Sequence, residues 1–419
     1  MERRIAPSAR IEEAIDRFLL DGISGPDELS QLGRLGTQLI LQRAVEDEVA
    51  AFLGRARYER TESAVGSRNG HRPRRVQTAE GEITIGIPQV RGSLERFVSS
   101  VIPDTRAIVR TRPLEALVIG AYVRGLSDRD IESLAREAGL GSISRTAVSG
   151  ICRELRDRYR AFRARSLGEV RLLALFMDAI YLPVRPEGPK EGVLVAWGFT
   201  TEGERVLVDV CLGQRERTED WLDLGRGLMA RGLRSPLLVV SDGAPGLVRA
   251  ITELWPDADR GRCAVHRLRN VLAKLPKRPA LHARVRAAYW AALDGATSAS
   301  EAEHGLRVLV GELAAEYPSA AACLADDLPA LTVHLAYPLR LRKRLRSTNL
   351  LERSLEEVRR RTKVIGRFPG ETSCLTMAWA VMDLIIAGSR GLGLTLPDRH
   401  AIATLVAARA VPQTEERIA

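Results

Sequence analysis

At 419 residues, 45% hydrophobic and 28% charged, the chain can fold into roughly two to four domains with real cores. Its net charge of +10 favours a polyanionic partner, nucleic acid ahead of a membrane surface, over a basic surface with no specific ligand. Five scattered cysteines without a Cys-x-x-Cys pair exclude a disulfide framework and a four-cysteine zinc site, and no membrane span is expected because Asp383 interrupts the best apolar run, Met377 to Ala387.

Residues 1–57 are predicted to be helical, because Leu32, Leu35, Leu39, Ile40, Val45, Val49 and Phe52 recur at helical spacing. The start, Met1-Glu-Arg-Arg, lacks the apolar core of a signal peptide, so a cytoplasmic, nucleoid-associated protein is expected. Residues 58–110 read as a basic linker with one short strand. Tyr58 to Arg75 offers few groups for a core, and Glu82 to Pro88 alternates like an edge strand, since Pro88 has no N–H for a ladder. Residues 111–168 form a second helical region. Within it Leu126 to Arg136, a turn at Gly139 to Gly141 and Ser144 to Leu155 have helix-turn-helix form. Ser127 and Ser144 are the expected N-caps, and Ile131, Leu134, Val148 and Ile151 are expected to face the junction. An ordinary helical hairpin used for dimerisation fits the same pattern.

From 169 the pattern changes to strands. Residues 169–266 predict a mixed α/β core with strands at Leu172 to Val184, Gly192 to Thr200 and Arg205 to Leu212. A helix (Thr218 to Arg234), a strand (Pro236 to Ser241), a helix (Pro245 to Trp255) and a short fifth strand (Gly261 to Val265) follow. Residues 267–345, alanine-rich and poor in β-branched side chains, read as an all-helical insertion. Residues 346–392 return two helices around the loop Val364 to Pro369, and 393–419 form a tail.

Three carboxylates stand out in this layout. Asp178 and Asp242 lie where apolar, strand-like runs give out and are expected to end the first and fourth strands; Glu352 begins a basic helix. Carboxylates are costly to gather on a buried surface unless a cation sits between them, and Mg²⁺ takes a few carboxylates together with phosphate oxygens. If the two strands adjoin, both aspartates reach one site, as two-metal phosphoryl transfer requires. Two Mg²⁺ or Mn²⁺ ions per site are therefore expected. Glu352 is preferred to Glu356 and Glu357 because it shares a face with Asn349 and lies close to the apolar stripe of Leu351, Leu355 and Val358. Arg359, Arg360, Arg361 and Lys363 offer phosphate contacts nearby, or else a solvated helix end favoured by the dipole. Of the 63 basic residues all but five are arginine, which suits bidentate phosphate binding and equally reflects a GC-rich genome. Cys263-Ala-Val-His266 is half a zinc site without a second half, so Cys263 and His266 are read as structural, near the site, along with Asn349.

Together these segments resemble the Mutator-like transposases of bacterial insertion sequences, the insertion-sequence-256 group of DDE transposases. The matching stretches are Met177 to Tyr181 with Val184-Arg185, Val240 to Gly246, Arg262 to Asn270, and Ser347 to Arg353 with Arg359 to Pro369. Upstream, Arg68-Asn-Gly70 and Tyr122 to Ile131 look like the family's N-terminal half, so the resemblance covers 35–390. It implies a ribonuclease H-like catalytic core with a helical insertion, and Asp178, Asp242 and Glu352 as catalytic metal ligands. It also implies cleavage and joining of double-stranded DNA, at terminal inverted repeats and in a target, by a homodimer or higher homo-oligomer through a copied circular intermediate. DNA contacts are expected at Arg68, Asn69, Arg72 and Arg145, and at Arg359, Arg360, Arg361, Lys363 and Arg367. Leu350-Leu351 and His71 depart from the commoner family residues without touching the proposed ligands. The rival readings are a DNA-binding regulator that no longer catalyses and a plain nuclease of the same fold. The intact acidic trio opposes the first, and the N-terminal binding region opposes the second.

Overall fold

Proline and glycine punctuate the N-terminal helices. Helices α1 (Pro7–Asp21) and α2 (Pro26–Leu53) both begin with proline, whose missing N–H is no loss in a first turn, and α2 stops at Gly54 in the left-handed region. The computed structural model describes residues 5–22, 25–59, 66–102, 109–124, 126–138, 140, 143–185, 187–213, 217–363, 368 and 370–410, apart from the side chains of Arg145, Cys152 and Ala410. The chain divides into two units, Met1–Glu154 and Leu155–Ala419.

In the first unit the basic stretch is itself a strand. Strand β1 (Ser67–Thr78) pairs antiparallel with β2 (Gly81–Arg91) and parallel with the short β3 (Val109–Arg110), in the order β2-β1-β3. Pro88 accordingly lies on an edge strand, opposite His71. Only the end of β1 joins Val45, Ile83, Ile85 and Ile102 in a core, through Val76. The rest of β1 is held by backbone ladder bonds, which leave no apolar alternation to read. Helices α3 (Arg112–Val123), α4 (Asp128–Glu137) and α5 (Arg145–Ala164) follow, the last continuing into the second unit. Ser127 caps α4 in a reciprocal box with Asp130, and Ser144 Oγ accepts the N–H of Ala147. Ile131, Val148 and Ile151 are buried with Leu114 and Val118. Leu134 is not: it is 41% exposed, because Ile131 and Ala135, four apart, define the inward face instead.

The second unit is built on a five-stranded sheet in the order β6-β5-β4-β7-β8. Strands β4 (Leu172–Leu182), β5 (Glu191–Thr200) and β6 (Arg205–Gly213) form an antiparallel meander. Helix α6 (Thr218–Ala230) leads to β7 (Leu238–Ser241) and α7 (Pro245–Leu254) to β8 (Asp259–Arg262), both strands running parallel to β4. Leu175, Met177, Leu194 and Val239 pack with Trp221, Leu228, Leu247 and Ile251 of α6 and α7. Side chains alternate along a strand, so Phe176 and Asp178 point to the other face. There Phe176 stacks on Trp197 at 5.1 Å, and Trp197 meets Phe199 edge-on at 5.3 Å.

The expected strand through Val265 ends earlier, at Arg262, because Cys263 caps helix α8 (Ala264–Ala273). Helices α9 (Pro279–Asp294), α10 (Ala299–Ala314), α11 (Pro318–Ala325) and α12 (Leu328–Thr332) come next, then a 3-10 turn (Val333–Ala336) and α13 (Leu339–Leu345). They share a core that includes Val285, Tyr289, Leu306, Leu313 and Leu331. Buried Arg267 ties this helical segment together by donating to the Asp326 carbonyl (2.7 Å) and carboxylate (2.8 Å). Helix α14 (Asn349–Thr362) packs on β4 with Leu351, Leu355 and Val358 buried, and α15 (Glu371–Ala387) packs on β6. Helix α16 (Leu396–Ala410) closes the described chain. Among the described residues no helix is long and apolar enough to cross a membrane.

Candidate active site

Asp178 and Asp242 owe their proximity to strand register. The last paired positions of parallel β4 and β7 are Phe176 and Val240, and each aspartate lies two residues further along its own chain. Asp178 does not end its strand as expected: β4 continues to Leu182, and Asp178 pairs with Val195 of β5. It is β7 that stops, at Ser241, one residue before Asp242. One carboxylate oxygen of each is fixed by a backbone N–H, from Ala179 and from Ala244, both at 2.8 Å. Burial pushes the Asp178 carboxyl up to about 7; the Ala179 N–H opposes this, and the negative charges of Asp242 and Glu352 add to it. Three acids therefore share one electrostatic site. Gly243 follows Asp242 at φ 87°, a conformation that side-chain-bearing residues rarely adopt, so the turn requires glycine.

Glu352 arrives in the first turn of α14 and is held from three sides. Thr348 Oγ donates to its Oε1 at 3.1 Å, His266 Nδ1 lies 3.5 Å from the same oxygen, and Arg269 reaches Oε2 at 3.4 Å. Hydrogen bonding with Cys263 raises the His266 imidazole to about 9 against the opposing effect of burial, and Glu352 and Asp178 reinforce it. Cys263 is fully buried, and its sulfur accepts the N–H of His266 (3.5 Å) and of Thr348 (3.4 Å). Burial raises the thiol's pKa, but hydrogen bonding with the His266 ring and that ring's charge, helped by Thr348 and the His266 N–H, outweigh it and leave the pKa lowered. Ala264 N–H also donates to the Arg346 carbonyl at 2.9 Å. The start of α8 is thus stitched to the start of α14. Cys263, His266 and Glu352 bring one possible ligand atom each within 4.8 Å of one another, and among the described residues no fourth ligand completes a zinc tetrahedron. The other two glutamates differ: Glu356 is exposed, and Glu357 is held down to about 2 by Arg360 and Arg361.

Comparison with known proteins shows the family of this chain. The model of the Mutator family of transposases matches residues 19–385. The transposase for insertion sequence element ISRM5 of Rhizobium meliloti (strain 1021) is 33% identical over 367 residues, covering 86% of this chain and 88% of its own. The chain belongs to the Mutator transposase family. The IS1081 transposase of Mycobacterium tuberculosis (strain ATCC 25618 / H37Rv) is 32% identical over 372 residues, covering 84% of this chain and 85% of its own. The transposase of IS256 in transposon Tn4001 of Staphylococcus aureus is 29% identical, covering 82% of this chain and 88% of its own.

The basic residues of this Mutator-family chain have separate placements. Arg68 donates to the carbonyls of Ala56 (3.2 Å) and Arg55 (3.0 Å), tying the end of α2 to β1. Asn69 is exposed at the register shift of β1, where Gly70 has φ 86°, and Arg72 is exposed two residues beyond. Arg145 opens α5, but its side chain lies outside the described residues, as does the whole of Arg367. On α14, Arg359 and Lys363 are exposed, Arg360 is exposed while paired with Glu357, and Arg361 is largely buried against the same carboxylate. Asn349 opens α14 three residues before Glu352. Sequence reasoning missed Thr348 and Arg269 as contacts of Glu352. Both sit inside matched motifs, which were the available signal.

Proposed function

We propose that this chain is a metal-dependent DNA transposase that cuts and joins strands at the terminal inverted repeats of an insertion sequence, using Asp178, Asp242 and Glu352. The observation that carries the reading is that two aspartates each lie two residues past the last paired positions of adjoining parallel strands, with Asp242 and Glu352 both felt electrostatically at Asp178. An all-oxygen donor set in which Asp242 and Glu352 raise the proton affinity of Asp178 suits hard divalent cations. Asp178, Asp242 and Glu352 would hold two Mg²⁺ or Mn²⁺ ions, which when bound activate the nucleophile and stabilise the leaving oxygen. The protein fixes the acids. Backbone N–H groups orient one oxygen of each aspartate, and Thr348, His266 and Arg269 orient Glu352.

Water would attack a phosphodiester at the element's end, its oxygen bonding to phosphorus while the 3′-oxygen leaves and takes up a proton. The freed 3′-hydroxyl would then attack a second phosphodiester, joining the strands as another hydroxyl departs. Neither step requires a bond between protein and DNA. The mixed sheet, with its helical segment ahead of Glu352, supports a ribonuclease H-like class for the second unit. The capped pair α4 and α5 supports a helix-turn-helix in the first, and the +10 charge supports DNA as partner. The deciding experiment incubates purified protein with Mn²⁺ or Mg²⁺ and labelled DNA of the gene's own flanks, then maps the cuts. Cuts at the repeat ends that need the metal are expected; metal-independent or random nicking would sink the reading.

A further inference from the structure

Beside Asp242, on the side away from β4, an open cleft of about 750 Å³ runs between the start of α7, the end of β8 and the Asp326-Asp327 corner of the helical segment. Arg262 forms its floor. It is opposite Ser241 in the β7–β8 ladder, and its guanidinium lies flat against Gly243, where a Cβ would come within 2.2 Å of Cζ. The side chain is only 11% exposed, yet its one ion pair among the described residues is a long one, 3.5 Å to Asp326. Asp326 has a closer partner in Arg267 at 2.8 Å. The Arg262 Nε is buried with no hydrogen-bond partner among the described residues.

A guanidinium taken out of water normally finds acceptors for most of its five N–H groups, because leaving them unmade is costly. Arg262 is short of acceptors, whereas its neighbour Arg260 donates two hydrogen bonds to Asp327. Further donors surround the same space. The positive end of α7 borders it at Ala244 and Pro245, and exposed Asn270 lines it as well. The two aspartates of the corner are already answered by Arg260 and Arg267. No aromatic ring lines the cleft, so it offers a base nothing to stack on.

We propose that this cleft holds a DNA backbone phosphate adjacent to the one being cut, with Arg262 as its main ligand, Asn270 as a secondary donor and the positive end of α7 beside it. The proposal rests on the transposase reading above and adds the place where the strand is gripped next to the carboxylates. Arg262 is then a positioning residue that sets which phosphodiester faces Asp178 and Asp242.

The test measures binding in EDTA, so that no strand is cut, to duplexes of the gene's own end carrying one neutral methylphosphonate at a time. For the wild-type protein, neutralising one phosphate within a nucleotide or two of the mapped cut should weaken binding about ten-fold. Arg262→Met should bind about ten-fold more weakly, ignore that methylphosphonate, and lower the salt slope of log K by about 1. Arg262→Lys should recover part of the affinity, and Asn270→Asp, at an exposed position that does not threaten folding, should weaken binding at the same phosphate. Equal interference at every phosphate in wild type and variants overturns the proposal while leaving the transposase reading standing. Tighter binding by Asn270→Asp, as a cation-filled cleft would give, also overturns it. A wild-type protein that neither binds nor cuts its flanking DNA removes the transposase reading and this subsite together.

Discussion

Asp178 and Asp242 each stand two residues past Phe176 and Val240, the last paired positions of two adjoining strands, and Asp178 resists ionisation up to about pH 7 as a result of burial and of its acidic neighbours. Its raised pKa opposes folding wherever the unfolded chain is already ionised. The unfolded carboxyl loses its proton near 3.8 and the folded one near 7, so stability is fully present below about 3.8 and declines as pH rises to 7. The loss is on the order of 4 kcal/mol. Asp178→Asn keeps an oxygen for the Ala179 N–H and removes the charge. Its melting temperature in EDTA should exceed that of wild type at pH 8, with the gap closing toward pH 4. Equal melting curves at pH 8 would show that the three acids do not strain one another.

The same repulsion predicts what a cation does. Adding Mg²⁺ or Mn²⁺ to chelator-treated protein at pH 7.5 should raise its melting temperature, by about 2.7 kcal/mol of stabilisation at a hundred times the dissociation constant. Asp178→Asn and Asp242→Asn should lose most of that rise. A shift of the same size in both variants would place the ion elsewhere.

For catalysis, Asp178→Ala, Asp242→Ala and Glu352→Ala should each lower strand cleavage at least about a hundred-fold while end binding in EDTA changes little. Glu356→Gln, on an exposed position of the same helix, should cut normally. Full activity in Glu352→Ala would move the third role to Glu356 or Glu357.

Much of this site can be read from the chain because the aspartates mark local events: an apolar strand interrupted by one acid, and a strand that stops at Ser-Asp-Gly. The strands, the helices between them and the stripe of α14 follow from periodicity, which is local too. What could not be read depends on contacts made at a distance. Arg269 meets Glu352 across 83 residues, and nothing in either segment announces the other. Strand β1 escaped notice because its backbone pairs with β2 while its side chains stay polar and exposed. Leu134 misled for the opposite reason: a large apolar residue one position off the buried face is still apolar.

Cys263 supports Glu352 indirectly. Its sulfur accepts two N–H groups, from His266 and Thr348, and a buried N–H left without an acceptor costs about 1–3 kcal/mol. Cys263→Ala should therefore loosen the start of α14 and slow cleavage about ten-fold without weakening end binding. Cys263→Ser, which keeps an acceptor, should retain more activity than Cys263→Ala. The check is single-turnover cleavage at saturating protein beside anisotropy binding. An alanine variant as fast as wild type would make the sulfur mere packing.

His334 in the helical segment predicts a separate acid sensitivity, remote from the carboxylates. The ring is 2% exposed, with Nδ1 2.9 Å from the Leu331 carbonyl, and burial first, then the positive charge of Arg346, depresses it to about 4. An unfolded histidine takes up its proton near 6.5, whereas this one stays neutral until about 4. The unfolded state therefore binds more protons between those limits. Stability is intact above pH 6.5 and falls as pH drops toward 4, by about 3 kcal/mol. Hydrogen exchange along α10 to α13 should speed up through that window in the wild-type protein. In His334→Gln, which can still donate to the Leu331 carbonyl but does not titrate, the acceleration should be smaller by about that amount; the same pH slope in both proteins would mean that the ring is not what senses acid there.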